Sequence, residues 1–208
     1  MNTLDSRSLR YVDCFAQRFS TPREVAYHIT TTAGVRIALE PAPFKIRVKK
    51  GPAQREEEQH FVTVRREGLR FVAEPPELEI TAGDSVLWNA SDPKTPGYAV
   101  RGHNARGGFD SAALAAEAVY THAFGLPGEF RWTDANGSGV SGLVNVRQVD
   151  SKDHRDMAAW ADQMKEGVLV VISGNRVEPK EVNIVVGQTV FFAVEKAPGI
   201  TITDSVLL

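Results

Sequence analysis

Five histidines, three methionines and a single cysteine are the imidazole and sulfur donors of this 208-residue chain, and they are scattered rather than clustered. His28, His60, His103, His122 and His154 fall in five different segments, and a lone histidine is most often structural. Cys14 has no histidine beside it to draw off a proton and no second cysteine to bridge. It therefore fits a reducing compartment and the role of a small, inert buried side chain. Two arginines flank His103 in "RGHNARGG" (101–108). Arg101 and Arg106 could fork onto a phosphate or carboxylate, although so glycine-rich a stretch reads more simply as a solvated loop. The consecutive carboxylates of "REEEQH" (55–60) read as solvated charge. "DANGSG" (134–139) offers one carboxylate, whereas calcium takes about 6–8 oxygens, so a tight turn is the better reading. No GxSxG, P-loop, HExxH or dinucleotide GxGxxG pattern occurs, and no basic stripe interleaved with aromatics. The expectation is a non-enzyme with no metal, no cofactor and no nucleic-acid partner.

These residues must be positioned by strands. The chain is 42% hydrophobic and 24% charged with a formal net charge of −2, enough for one large or two small cores. Glycines and prolines punctuate short alternating runs, the pattern of an all-β sandwich. "LEITAGDSVLW" (78–88) and "VNIVVGQTVFFAV" (182–194) each predict two strands about a turn; "AVYTHAF" (118–124), "GEFRW" (128–132) and "GLVNV" (142–146) predict one each. "GVLVVIS" (167–173) reads as a strand buried on both faces. The alanine-rich "SAALAAEA" (111–118) predicts a short helix. "SKDHRDMAAWADQMKEG" (151–167) predicts a second, with a Ser cap, a Gly stop and Met157, Trp160, Ala161 and Met164 on one face. "KKGPAQREEEQH" (49–60) is the best linker.

The chain repeats itself. "EPPELEITAGDSV" (74–86) aligns with "EPKEVNIVVGQTV" (178–190). A weaker alignment sets "EVAYHITTTAG" (24–34) on "EAVYTHAFGLPG" (117–128), and with it "FKIRV" (44–48) on "GLVNV" (142–146). The middle of the chain thus carries a first half followed by a second half, while each end carries one half alone.

Residues 69–148 resemble the cupredoxin family, the plastocyanin- and azurin-like proteins. The matching residues are Gly83, Asp84, Val86 and Trp88, then Phe109-Asp110-Ser111, then Phe124, Pro127, Gly128, Phe130 and Trp132. The resemblance implies a Greek-key β-sandwich. It also implies where the family's copper ligands would fall. Tyr98 stands at the first His position, Asp134 at the Cys, Gly137 near the second His and Val140 near the Met. Copper cycling needs soft sulfur and imidazole donors, and none of the four positions keeps one.

The expected architecture is all-β: two cupredoxin-like Greek-key sandwiches with one or two short helices. Residues 1–19 are an N-terminal extension, 69–148 an intact sandwich and 150–166 a connecting helix. Residues 20–60 and 167–208, each an incomplete half with exposed edges, form a second, permuted sandwich. The expected function is that of a copper-free accessory subunit docking on a larger protein assembly, at the cytosolic face of a photosynthetic complex such as a reaction centre, or of a respiratory one. Tyr98, Arg101, His103, Arg106 and Asn136 are the candidate partner contacts. The alternative is a small-molecule or metal-handling protein using loop 101–108. No apolar run reaches the roughly 18 residues of a membrane span, and the polar N-terminus has no secretory h-region. The expected location is therefore the cytoplasm, free or peripheral on a membrane complex.

Overall fold

The computed structural model describes residues 3–31, 43–52, 54–104 and 107–208. Alternation of apolar and polar side chains sets most of the strands, because successive residues of a strand face opposite sides. In Phe44–Lys49 (FKIRVK), for example, every second residue is buried and the others are exposed. In chain order the strands are β1 Asp13–Arg18, β2 Arg23–Thr30, β3 Phe44–Lys49, β4 Gln59–Glu67, β5 Arg70–Glu74, β6 Glu77–Thr81, β7 Ser85–Ala90, β8 Ala99–Asn104 and β9 Gly107–Asp110. They continue as β10 Ala118–Ala123, β11 Gly128–Asp134, β12 Ser141–Arg147, β13 Val168–Ser173, β14 Arg176–Glu178, β15 Glu181–Val185, β16 Thr189–Lys196 and β17 Ile202–Asp204. One helix, α1 His154–Gln163, precedes β13. No helix among the described residues is long and apolar enough to cross a membrane.

One eight-stranded sheet, in the order β14-β13-β16-β10-β1-β7-β4-β5, runs through the whole molecule. A five-stranded sheet, β6-β3-β2-β8-β9, packs on the half containing β1. A four-stranded sheet, β15-β12-β11-β17, packs on the half containing β10. Aromatic rings fill both interfaces. Phe15 stacks on Trp88 at 5.4 Å, and Tyr27 meets Trp88 edge-on at 5.6 Å. In the other half Trp132 meets Phe192 edge-on at 5.2 Å.

The two halves have the same wiring. β1 pairs antiparallel with β7 as β10 does with β16, and β4 pairs parallel with β7 as β13 does with β16. In the small sheets β2 pairs with β3 and β8, and β3 pairs parallel with β6. Likewise β11 pairs with β12 and β17, and β12 pairs parallel with β15. The β6–β7 and β15–β16 turns both need a residue at positive φ, and each has glycine there: Gly83 at 109° and Gly187 at 95°.

This pairing corrects the expected division of the chain. β2 and β3 share no sheet with β15 or β17, and β4 is separated from β16 by β7, β1 and β10. Residues 20–60 and 167–208 therefore do not complete one another, and 69–148 spans the end of one sandwich and the start of the next. Residues 13–18, expected in an N-terminal extension, form a central strand. The duplication is a plain tandem one: β1–β9 build the first sandwich and β10–β17 the second. The alignment of 24–34 on 117–128 was one strand out of step, because β2 is equivalent to β11 and β1 to β10.

An internal pseudo-twofold axis relates the sandwiches. It passes through the antiparallel β1–β10 pair at Phe15 and Tyr120, which face each other. A short motif repeats around it, "LDSRSL" (4–9) and "FDSAAL" (109–114). Ser6 N–H donates to the Ile202 carbonyl at 2.8 Å, and its hydroxyl accepts from Ile202 N–H at 3.1 Å. Ser111 does the same with Val100, at 3.0 Å in both bonds. Leu9 bridges to Tyr98 as Leu114 bridges to Ile200. Each copy of the motif thus spans both sandwiches. β9 lies beside β8 just as Asp5 lies beside Thr203 near the chain ends.

Four local expectations change. Residues 111–117 are turns and bridges rather than a helix, because Ser111 and Leu114 bond across to Val100 and Ile200. α1 does form, but its cap is Asp153, whose carboxylate accepts from Arg155 and Asp156 N–H, rather than Ser151. Its apolar face only half-covers Trp160, whose indole N–H donates to Val186 O at 2.9 Å. β13 buries one face, with Val170 and Ile172, while Leu169 is 54% exposed. Residues 55–60 of the expected linker are strapped down: Asp84, buried, accepts from Arg55, from Glu58 N–H at 2.9 Å and from Thr81 N–H at 2.9 Å.

Candidate functional site

The residues singled out from the sequence do not converge. Tyr98, Arg101 and His103 belong to the first sandwich, on or just before β8. Asp134, Asn136, Gly137 and Val140 belong to the second, on or after β11. Arg106 lies outside the described residues. Tyr98 is fully buried, so it cannot be a partner contact. Burial, with Cys14 and Asp13 nearby, pushes its phenol well above the ordinary range. Arg101 is held by Asp110, Nε to Oδ2 2.9 Å. His103 is exposed on β8, opposite Ala26 and Gly108.

Asp134 is 3% exposed and closes its own turn. Oδ1 accepts from Thr201 N–H at 2.8 Å and from Asn136 N–H at 3.1 Å; Oδ2 accepts from Ser138 N–H at 3.3 Å. Burial raises the carboxyl pKa, but hydrogen bonds from Ser138, Thr201 and Asn136 outweigh it, and the net shift is downward. Asn136 is exposed, yet its amide donates to Thr201 Oγ1 at 3.0 Å. Gly137 takes φ 78°, as the turn requires, and Val140 is buried. No group of three or more His, Cys, Asp or Glu among the described residues is placed to hold a metal.

A polar cluster that the sequence did not reveal lies on the pseudo-twofold. Asp13 and His122 are cross-strand partners on β1 and β10. His122 is fully buried, and its Nδ1 donates to Asp13 Oδ1 at 2.6 Å. Tyr120 O–H donates to the same oxygen at 2.8 Å, and Arg10 N–H donates to Oδ2 at 2.8 Å. Asp5 N–H reaches Tyr120 Oη at 3.3 Å. Burial first, and Asp13 second, push the Tyr120 phenol well up. His122 Nε2 meets no hydrogen-bonding atom, and its ring packs edge-on against Phe124 at 4.6 Å. The cluster joins the N-terminal segment, β1 and β10; it is a junction rather than an open site. His122 is thus structural, as a lone histidine most often is. Its partner, more than a hundred positions away, carries no local sequence signal.

The surfaces divide sharply in character. The outward faces of the small sheets are charged or amide-rich. Arg47 pairs with Glu24 at 3.5 Å and Lys49 with Glu79 on one; Asn145 donates to Glu181 at 2.7 Å and to Asn183 at 3.0 Å on the other. The outward face of the eight-stranded sheet is different. The register aligns Phe61, Leu87, Ala16, Val119, Ala193 and Val171 in one cross-strand row. The adjacent row is Thr63, Asn89, Cys14, Thr121, Phe191 and Leu169. Phe61 is 61% exposed and Phe191 39%. Burial pushes the Cys14 thiol up to about 12, so it stays protonated at neutral pH.

Comparison with protein-family models, curated proteins and solved structures finds no match for this chain.

Proposed function

We propose that the chain is a non-catalytic, copper-free, cupredoxin-like accessory subunit, a pair of Greek-key sandwiches that docks on a larger protein assembly. The assembly proposed is a photosynthetic or respiratory membrane complex, bound at its cytosolic face. One observation carries the reading: the reactive side chains at and beside the expected ligand positions are committed to internal contacts. Asp134 closes a turn, Tyr98 is packed inside and Arg101 is neutralised by Asp110. A fold so arranged offers surface rather than a reaction centre of its own. His103 and Asn136 remain on that surface, as do the sheet-edge strands, which can accept an added strand.

Native gel electrophoresis of gently solubilised membranes tests this. The chain is expected to co-migrate with one large complex at fixed stoichiometry, and the isolated protein to carry no copper or zinc. Stoichiometric metal that disappears on His103→Ala would overturn the proposal in favour of metal handling by residues 101–108.

A further inference from the structure

We propose that the outward face of the eight-stranded sheet is the contact between two copies of this chain, packed sheet on sheet about a twofold axis. The proposal does not depend on the accessory-subunit reading. Its first support is the contrast between faces. Two adjacent rows cross six neighbouring strands, β4-β7-β1-β10-β16-β13, one wholly apolar and the other setting Cys14, Phe191 and Leu169 beside Thr63, Asn89 and Thr121, while both small sheets present ion pairs and amides outward. A water-facing sheet normally alternates apolar-in with polar-out, and this one does not.

Its second support is size. Strands about 4.8 Å apart and outward-facing rows about 6.8 Å apart give six strands and four rows an area on the order of 800 Å2, which is one partner's share of a standard specific interface. The two rows outside the apolar pair supply a polar rim, as such interfaces have. Its charges are largely paired within the chain: Arg18 lies between Glu57 and Glu117, and Arg65 pairs with Glu74.

The third support is self-complementarity. The pseudo-twofold runs through the face at β1–β10 and exchanges its two rows, setting Phe61 against Leu169 and Leu87 against Phe191. A second copy turned over on this face makes each contact twice. Cys14, the only thiol, sits on β1, one of the two central strands of this face.

Light scattering and sedimentation of the full chain are expected to show a dimer at about 10 µM, in the range of specific associations. Val119→Glu and Phe191→Glu each place a charge in the apolar rows and should weaken the dimer at least ~100-fold. Leu69→Glu, on a 90% exposed position in the β4–β5 turn, should leave it intact. Phe191 is the more exposed of the two target sites, so its variant keeps the test valid if Val119→Glu fails to fold. On wild-type protein, Cys14 should react with maleimide several-fold faster once dilution has dissociated the dimer. A wild-type chain that stays monomeric at about 100 µM, or that associates only with a different protein, overturns the proposal. So does a dimer that survives both glutamate substitutions.

Discussion

A buried carboxylate that accepts several backbone N–H groups titrates below an exposed one, and Asp134 is held in this way by Thr201, Asn136 and Ser138. Its lowered folded-state pKa fixes the sign of its contribution. The stabilisation is fully present above the ordinary carboxylate range, and it is lost as pH falls through the depressed folded-state value. Asp134→Ala is expected to cost about 2 kcal/mol at neutral pH. The gap from wild type should narrow in acid, measured by urea unfolding at a series of pH values. The identity of this residue is plain in the sequence, but its task is not. A single Asp before Asn-Gly announces a turn, whereas the bond to Thr201 depends on β17 lying beside β11. Tyr98 misleads for a related reason: aromatic hydroxyls are common on surfaces, and only the bridge to Leu9 shows that this one is interior.

At the scale of elements, the two copies of the Asp-Ser-x-x-Leu motif act as matched clamps. Leu9 and Leu114 are both fully buried, and each is bonded to the end of a small-sheet strand. Leu9→Ala and Leu114→Ala should each cost about 2–5 kcal/mol, in similar amounts, as read by thermal and denaturant unfolding. A residue that served only its own sandwich would break that equality. Strand existence was largely legible, because β6, β7, β15 and β16 alternate cleanly and end at Gly83 and Gly187. Residues 111–118 were not. Alanine favours helix in isolation, and the long-range bonds of Ser111 and Leu114 override that preference. The burial of β13 was misjudged because an unbroken apolar run looks the same whether its second face meets a sheet or faces outward.

For the molecule as a whole, the repeat between 74–86 and 178–190 was read correctly, but the frame around it was shifted by half a period. A window over 69–148 takes the end of one sandwich and the start of the next, and leaves an apparent half at each end of the chain. The "LDSRSL" and "FDSAAL" segments carry the true frame. They are short, and the second matches a motif of the expected family, so the first passes unnoticed without the strand pairing. Once that frame is set, β1 and β10 stand together as the central strands of one sheet, and the Asp13–Tyr120–His122 cluster lies between them.

The pairing of β8 with β9 and the meeting of Asp5 with Thr203 occupy equivalent places about the pseudo-twofold. The first joins the sandwiches through a peptide connection; at the second, Leu4 and Asp5 meet Thr203 and Asp204 without one. Covalent continuity at the first place is therefore expected to be dispensable. Co-expressed as separate polypeptides, residues 1–104 and 107–208 should assemble one-to-one into the native fold, with the circular dichroism and unfolding cooperativity of the parent. Two fragments that remain apart would show the junction to be weaker than its hydrogen bonds imply. Fragment complementation of this kind is what a homodimer of a single ancestral sandwich, later fused end to end, would leave behind.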